Sequence, residues 1–262
     1  MIYFLTSSHC VVGEPRLNPA NGFVDQLKEV LDEPFRMLMV CSDPNSHKMN
    51  DGIAESTVKI FADSGMEASA YAVLDGRNWQ DAAKLVAQAD FIYFFGGHVP
   101  TQNAFFQKIG MREIMEEYDG VVMGVSAGSM NCADVVYSQP EEAGEAIDPD
   151  FDKFPQGLGI TRTQILPHYQ QVKDNLVDGL HLYWDISVPD SEGGCFIAMV
   201  DGTYIFGVDG VEELRGEAYL LEDGTMRKIS REGDVVDLDW DEYWEGNGDQ
   251  EPWEIELSEI ME

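Results

Sequence analysis

As far as Tyr137, short apolar runs alternate with longer segments whose apolar residues recur at helical spacing. Ile2–Thr6, Arg36–Cys41, Ala68–Val73, Phe91–Phe95 and Val121–Val125 are rich in β-branched or aromatic residues and predict strands. Phe23–Leu31, Ile53–Ala62, Trp79–Ala87 and Phe105–Glu117 predict helices; in the first, Phe23, Leu27, Val30 and Leu31 share one face. Gly65, Asn78 and Gly120 punctuate the joints. Strands that alternate with helices in this way imply an α/β fold, a mostly parallel sheet with helices on both faces. Runs as uniformly apolar as Phe91–Phe95 suit strands buried on both sides.

Beyond Tyr137 the pattern changes. Ser138–Phe154 reads as a long acidic loop, with Glu141, Glu142, Glu145, Asp148, Asp150 and Asp152 among Pro140, Pro149 and Pro155. From Cys195 to Ile229 short alternating runs flank Asp201-Gly202, Asp209-Gly210 and Asp223-Gly224, each a hairpin signal. The expected organisation is one α/β domain over residues 1–231, its C-terminal β-hairpin part spanning about 195–231, followed by a tail over residues 232–262. That tail holds 13 acids and no Lys or Arg, yet Trp240, Tyr243, Trp244 and Trp253 suit it to partial docking.

Charge narrows the partners. Lys and Arg number 16 against 49 Asp and Glu, a formal net charge of −33. A surface this acidic opposes nucleic acid, whose phosphates need a basic face, and opposes anionic membranes. It reads as a solvated surface, with a high-salt cell interior as the sharper alternative. The longest apolar stretches fall far short of a bilayer span, and Met1–Ser7 lacks the marks of a leader and reads as a first strand. Cys10, Cys41, Cys132 and Cys195 show no paired spacing, which suits reduced thiols and a cytoplasmic location. Neither HExxH nor a Walker A pattern is present, so neither metal nor organic cofactor is expected.

Gly124-Val125-Ser126-Ala127-Gly128 closes one predicted strand and opens a helical segment, Ala127–Val136. This is the nucleophile-elbow pattern in its strand–turn–helix context. The turn would lift Ser126 above the carboxyl edge of the sheet, where ligands of parallel sheets bind. A serine nucleophile needs a base. Of the five histidines, His168 follows the apolar run Ile165-Leu166 and suits a sheet edge, His9 competes spatially, and His98 could line a pocket. His47 and His181 look like surface residues. Gly96-Gly97 closes another strand and could present a backbone N–H towards the elbow, with Ala127 supplying a second.

Taken together, Phe95-Gly96-Gly97-His98, Gly124-Val125-Ser126-Ala127-Gly128-Ser129, Gly157-Leu158-Gly159 and Pro167-His168-Tyr169 resemble the peptidase E and cyanophycinase family of serine peptidases. The resemblance runs to about residue 207 and implies a three-layer α/β/α, flavodoxin-like fold of the class I glutamine-amidotransferase type. It further implies Ser126 as nucleophile, His168 as general base, and Gly97 and Ala127 as oxyanion donors. The third member would be an acid in the loop after the nucleophile helix. Glu141 is the first choice, with Glu142 and Glu145 as rivals. His98, Tyr169 and Lys173 are the expected pocket residues.

The chain departs from the dipeptidases twice. His98 stands where they have Asn, and Tyr169-Gln170-Gln171-Val172-Lys173 offers no Arg for a substrate aspartate. The function so implied is hydrolysis of small peptides through an acyl-enzyme, by a protein that could be a homodimer. A glutaminase-like amidase and a non-catalytic binding protein of the same fold are the alternatives.

Overall fold

A computed structural model of the protein describes residues 1–238. Five parallel strands form its centre: β1 (Ile2–Thr6), β2 (Phe35–Val40), β3 (Ala68–Leu74), β4 (Phe91–Phe94) and β5 (Val121–Val125). They lie in the order β1-β5-β4-β2-β3. Helices α1 (Phe23–Val30), α2 (His47–Asp63), α3 (Ala82–Gln88), α4 (Val99–Ile109) and α5 (Met111–Glu116) connect them. Successive side chains of a strand point to opposite faces, and β4 shows both faces covered. Phe61 of α2 meets Phe91 and Tyr93, whereas Phe106 of α4 packs edge-on against Phe94 at 5.3 Å. Every residue of β4 and β5 is buried.

The chain then builds a second sheet. After α6 (Ala127–Met130) come β6 (Ile165–Leu166), α7 (Tyr169–Val172) and the small hairpin of β7 (Leu176–Val177) and β8 (Leu180–His181). The later strands are β9 (Cys195–Met199), β10 (Tyr204–Val208), β11 (Val211–Arg215), β12 (Ala218–Glu222), β13 (Thr225–Ser230) and β14 (Val235–Asp237). Antiparallel β10, β11 and β14 extend the large sheet beyond β1, to eight strands, while β13-β12-β9-β6 form a separate sheet of four. The acidic loop is pinned at its ends, where Val136 donates to Pro155 O and Ser138 to Lys153 O. There Tyr137 stacks flat on Phe196, the centroids 4.1 Å apart.

Some expected elements differ. The helix predicted over Phe105–Glu117 is two helices that meet at Gly110, whose φ of 64° a glycine adopts without strain. The helix predicted over Ala127–Val136 stops after one turn. The carbonyls of Asn131, Cys132 and Ala133 instead accept N–H groups from Leu158, Ile160 and Gly159, so long-range pairing displaces the helical ladder. Two of the three Asp-Gly signals join hairpin strands, β10 to β11 and β12 to β13. Asp201-Gly202 does not; there the chain crosses from the small sheet to the large one. β14 falls within the expected tail, and the docking expected of Trp240, Tyr243, Trp244 and Trp253 lies outside the described residues. Among the described residues no helix is long and apolar enough to cross a membrane.

Candidate active site

Ser126 joins β5 to α6 with φ 52° and ψ −118°, a backbone conformation that non-glycine residues rarely adopt. Its N–H donates to Thr6 O at 3.0 Å, anchoring the turn to the end of β1. The two flanking glycines are required by space. A Cβ on Gly124 would lie 2.6 Å from Ser129 Cα, and one on Gly128 would lie 2.5 Å from Phe94 O. Backbone therefore crowds the turn on both sides. Gly96 abuts it as well, since its Cβ position lies 3.4 Å from Ser126 Cβ. Gly97 has φ 153°, and a Cβ there would meet Ser42 Oγ. Among the described residues, the N–H groups of Gly97 and Ala127 have no hydrogen-bond acceptor.

His168 sits between β6 and α7 in the left-handed region, φ 58° and ψ 27°. Its N–H donates to Ser7 Oγ at 2.7 Å. Ser126 and His168 are thus fastened to consecutive residues, Thr6 and Ser7, just where β1 ends. Among the described residues no hydrogen bond joins Ser126 Oγ to the imidazole. Such contacts are often long before a ligand tightens them.

The imidazole has a carboxylate partner, and it is not Glu141. His168 Nδ1 lies 2.7 Å from Oδ1 of Asp201, whose side chain is only 2 % exposed. Ser7 Oγ donates to the same oxygen at 2.9 Å, Gln171 Nε2 donates to Oδ2, and the Asp201 N–H is held by Gln170 Oε1. Burial works against charge on Asp201, but the bonds from His168, Ser7 and Gln171, with the nearby imidazole, hold its carboxyl below the usual range. With Asp201 ionised, Nδ1 carries the ring proton and Nε2 is left basic. The sequence does not mark Asp201 as a site residue, because Asp-Gly between short runs reads as a turn. The signal that could have found it is an acid at the end of a strand in the same carboxyl-edge region as the histidine.

The other expected residues divide. Glu141 donates its backbone N–H to Glu145 Oε2 at 2.8 Å. It is exposed to solvent on one side, yet protein surrounds it on most of the others. Desolvation first, then repulsion from Glu145 and Glu142, outweigh the pull of His98 and His168 and push its carboxyl up to about 7. A raised acid favours the folded state when protonated, so that contribution is present below pH 4.5 and is lost as pH rises through about 7. Glu141→Gln should therefore leave Tm unchanged at pH 4 but raise it at pH 8, by about 2 °C once solvent screening is allowed for. Thermal melts of both proteins across that range check this.

His98 lies beside Gly97, its Nδ1 2.8 Å from Thr101 Oγ1 and its Nε2 2.8 Å from Glu145 Oε1. Burial opposes charge on Glu145, but N–H groups of Glu142 and Glu141 and the His98 ring hold its carboxyl below the usual range. His98, Glu142 and Glu145 bring ligand atoms within 4.8 Å of one another, the one grouping among the described residues able to hold a metal ion, although both oxygens of Glu145 already accept hydrogen bonds. Tyr169 is not a pocket residue; it is buried against Tyr183 and Tyr219. Lys173 caps α7 and makes no ion pair among the described residues. His9 is engaged elsewhere, 3.1 Å from Tyr93 Oη, and burial pushes it down to about 4.

A cavity of about 770 Å³ lies away from this chemistry. Tyr3, Arg112 and Glu212 help to line it near the amino ends of β1 and β5, so its size alone does not mark the active site.

Comparison with known proteins bears on the family and the fold. The model of peptidase family S51 matches residues 4–204. Among solved structures, the chain is similar to a peptidase from an acI-B1 Actinobacterium, with TM-score 0.59 and 19 % identity over 90 % of this chain and 96 % of that one. It is also similar to a putative peptidase E protein from Listeria monocytogenes EGD-e, with TM-score 0.55 and 15 % identity over 87 % of this chain and 98 % of that one. No curated protein matches.

Proposed function

The chain belongs to peptidase family S51 and is a serine peptidase of the peptidase E type, and from that premise we propose that it hydrolyses small peptides with Ser126, His168 and Asp201 as its triad. Ser126 Oγ attacks the scissile carbonyl carbon while its proton passes to His168 Nε2. The carbonyl oxygen, now an anion, is received by the N–H groups of Gly97 and Ala127. His168 then gives its proton to the departing amine, leaving an ester on Ser126. Water, deprotonated by the same nitrogen, hydrolyses that ester and restores the serine. Asp201 holds the ring in the required tautomer and stabilises the imidazolium. The observation that supports this reading is the 2.7 Å contact between His168 Nδ1 and Asp201, with His168 and the strained, glycine-flanked Ser126 hydrogen-bonded to the consecutive residues Ser7 and Thr6.

The cleft suits a peptide without strong negative charge. Glu141, Glu142 and Glu145 gather beside His98, and Lys173, at the end of the short helix after His168, is a weak substitute for the arginine of the dipeptidases that the chain resembles. The direct test is labelling of the folded protein with a fluorophosphonate probe, followed by mass mapping. The expected result is one adduct, on the peptide that contains Ser126. An unlabelled protein, or an adduct on another serine, would overturn the assignment.

A further inference from the structure

Two successive glycines are a poor foundation for an oxyanion donor. Neither has a Cβ to restrict it, so the peptide between Gly96 and Gly97 can turn unless its neighbours hold it. On one side Phe95 is fixed, its N–H on Val40 O at 2.9 Å and its carbonyl on Gln102 Nε2 at 2.9 Å. On the other side stands His98. Its ring is held at both nitrogens, by Thr101 within α4 and by Glu145 from the acidic loop. Glu145 is in turn only 15 % exposed and fully engaged. Oε1 faces His98, and Oε2 accepts the N–H groups of Glu141 and Glu142 at 2.8 and 2.9 Å. The far side of the same loop is tied down by Asp178, which accepts the N–H groups of Gly144 and Ala146.

We propose that Glu145 is a positioning residue for the peptidase reaction, clamping the acidic loop to His98 and so fixing the Gly97 N–H that receives the oxyanion. The inference rests on the assignment of Ser126 as nucleophile and deepens it. It also gives a use to the histidine at position 98, where the dipeptidases carry asparagine. A shorter amide could not span both Thr101 and the loop, so here the loop carboxylate and the imidazole act as a pair. Preorganised donors lose their value steeply when misplaced, by about 100-fold for 1 Å. Glutamine at position 145 keeps one acceptor oxygen for the two loop N–H groups, but it can meet His98 Nε2 only by donating its amide N–H, which reverses that hydrogen bond, forces the ring proton onto Nδ1 and removes the charge that strengthens the clamp.

The fluorophosphonate probe reads this without a known substrate, because its phosphoryl oxygen occupies the oxyanion position. Glu145→Gln should lower the maximal labelling rate by about 10–100-fold while the half-saturating probe concentration stays within about 2-fold. Thr101→Val, at an exposed site less exposed to folding loss, should act in the same direction more weakly. The decisive comparison is a double-mutant cycle. In a His98→Asn background, Glu145→Gln should change the rate by less than about 2-fold, because its partner is gone. Far-ultraviolet circular dichroism and Tm confirm that each variant is folded. Equal labelling rates for wild type and both Glu145→Gln and Thr101→Val would overturn the proposal, as would an undiminished Glu145→Gln effect in the His98→Asn background. Failure of wild type to label at Ser126 would instead overturn the underlying assignment.

Discussion

Asp201→Asn should lower kcat by on the order of 10³–10⁴-fold with KM nearly unchanged. Asparagine keeps the size of the side chain but presents an amide whose N–H can face the ring. That favours the tautomer with its proton on Nε2, the wrong nitrogen for accepting the serine proton. It also removes the charge that offsets the imidazolium. The Asp201 side chain is almost fully enclosed, and its oxygens accept from His168, Ser7 and Gln171. Glu141→Gln provides the contrast. Its carboxyl has no hydrogen bond to His168, so kcat should fall by less than about 10-fold. Steady-state rates on any dipeptide that slows probe labelling of the wild type would measure both. A large loss for Glu141→Gln with a small one for Asp201→Asn would transfer the orienting role to the loop.

That contrast marks the boundary of what could be read from the residues. The elbow was legible because local chemistry dictates it: Gly124 and Gly128 are needed wherever backbone crowds a turned serine. The parallel sheet was equally legible, since β4 and β5 are apolar on both faces and therefore read as continuous runs. Asp201 was not, because its partner lies 33 positions away and its own dipeptide has a sufficient local explanation as a turn. Glu141 had the opposite fault. It stands at the expected separation from Ser126, but chain distance does not say which way a loop carboxylate faces. The short α6 has the same cause, as contacts from residues 157–161 decide where the helix after Ser126 ends, whereas the break at Gly110 is local, a single glycine in the left-handed region. Tyr169 shows the reverse error, a residue beside the base in sequence whose ring turns into the small sheet.

Ser126→Ala should abolish probe labelling and reduce peptide hydrolysis by on the order of 10⁴–10⁶-fold. The whole covalent route passes through one oxygen, so His168 and Asp201 have nothing to activate once it is gone. It follows that the triad losses do not add. The Ser126→Ala, Asp201→Asn double variant should be about as active as Ser126→Ala alone, within roughly 3-fold. Residual turnover in both would come from the Gly97 and Ala127 N–H groups acting on a water-attacked carbonyl. Alanine costs little structurally at this place, because Ser126 Oγ makes no hydrogen bond among the described residues, the bond from its N–H to Thr6 O is kept, and the strained backbone at position 126 is the same for either residue. Tm should therefore hold or rise slightly while activity disappears. Stopped assays at high enzyme concentration, with melts on the same samples, separate the outcomes: additive losses, or activity retained by Ser126→Ala, would mean that hydrolysis proceeds without the serine ester.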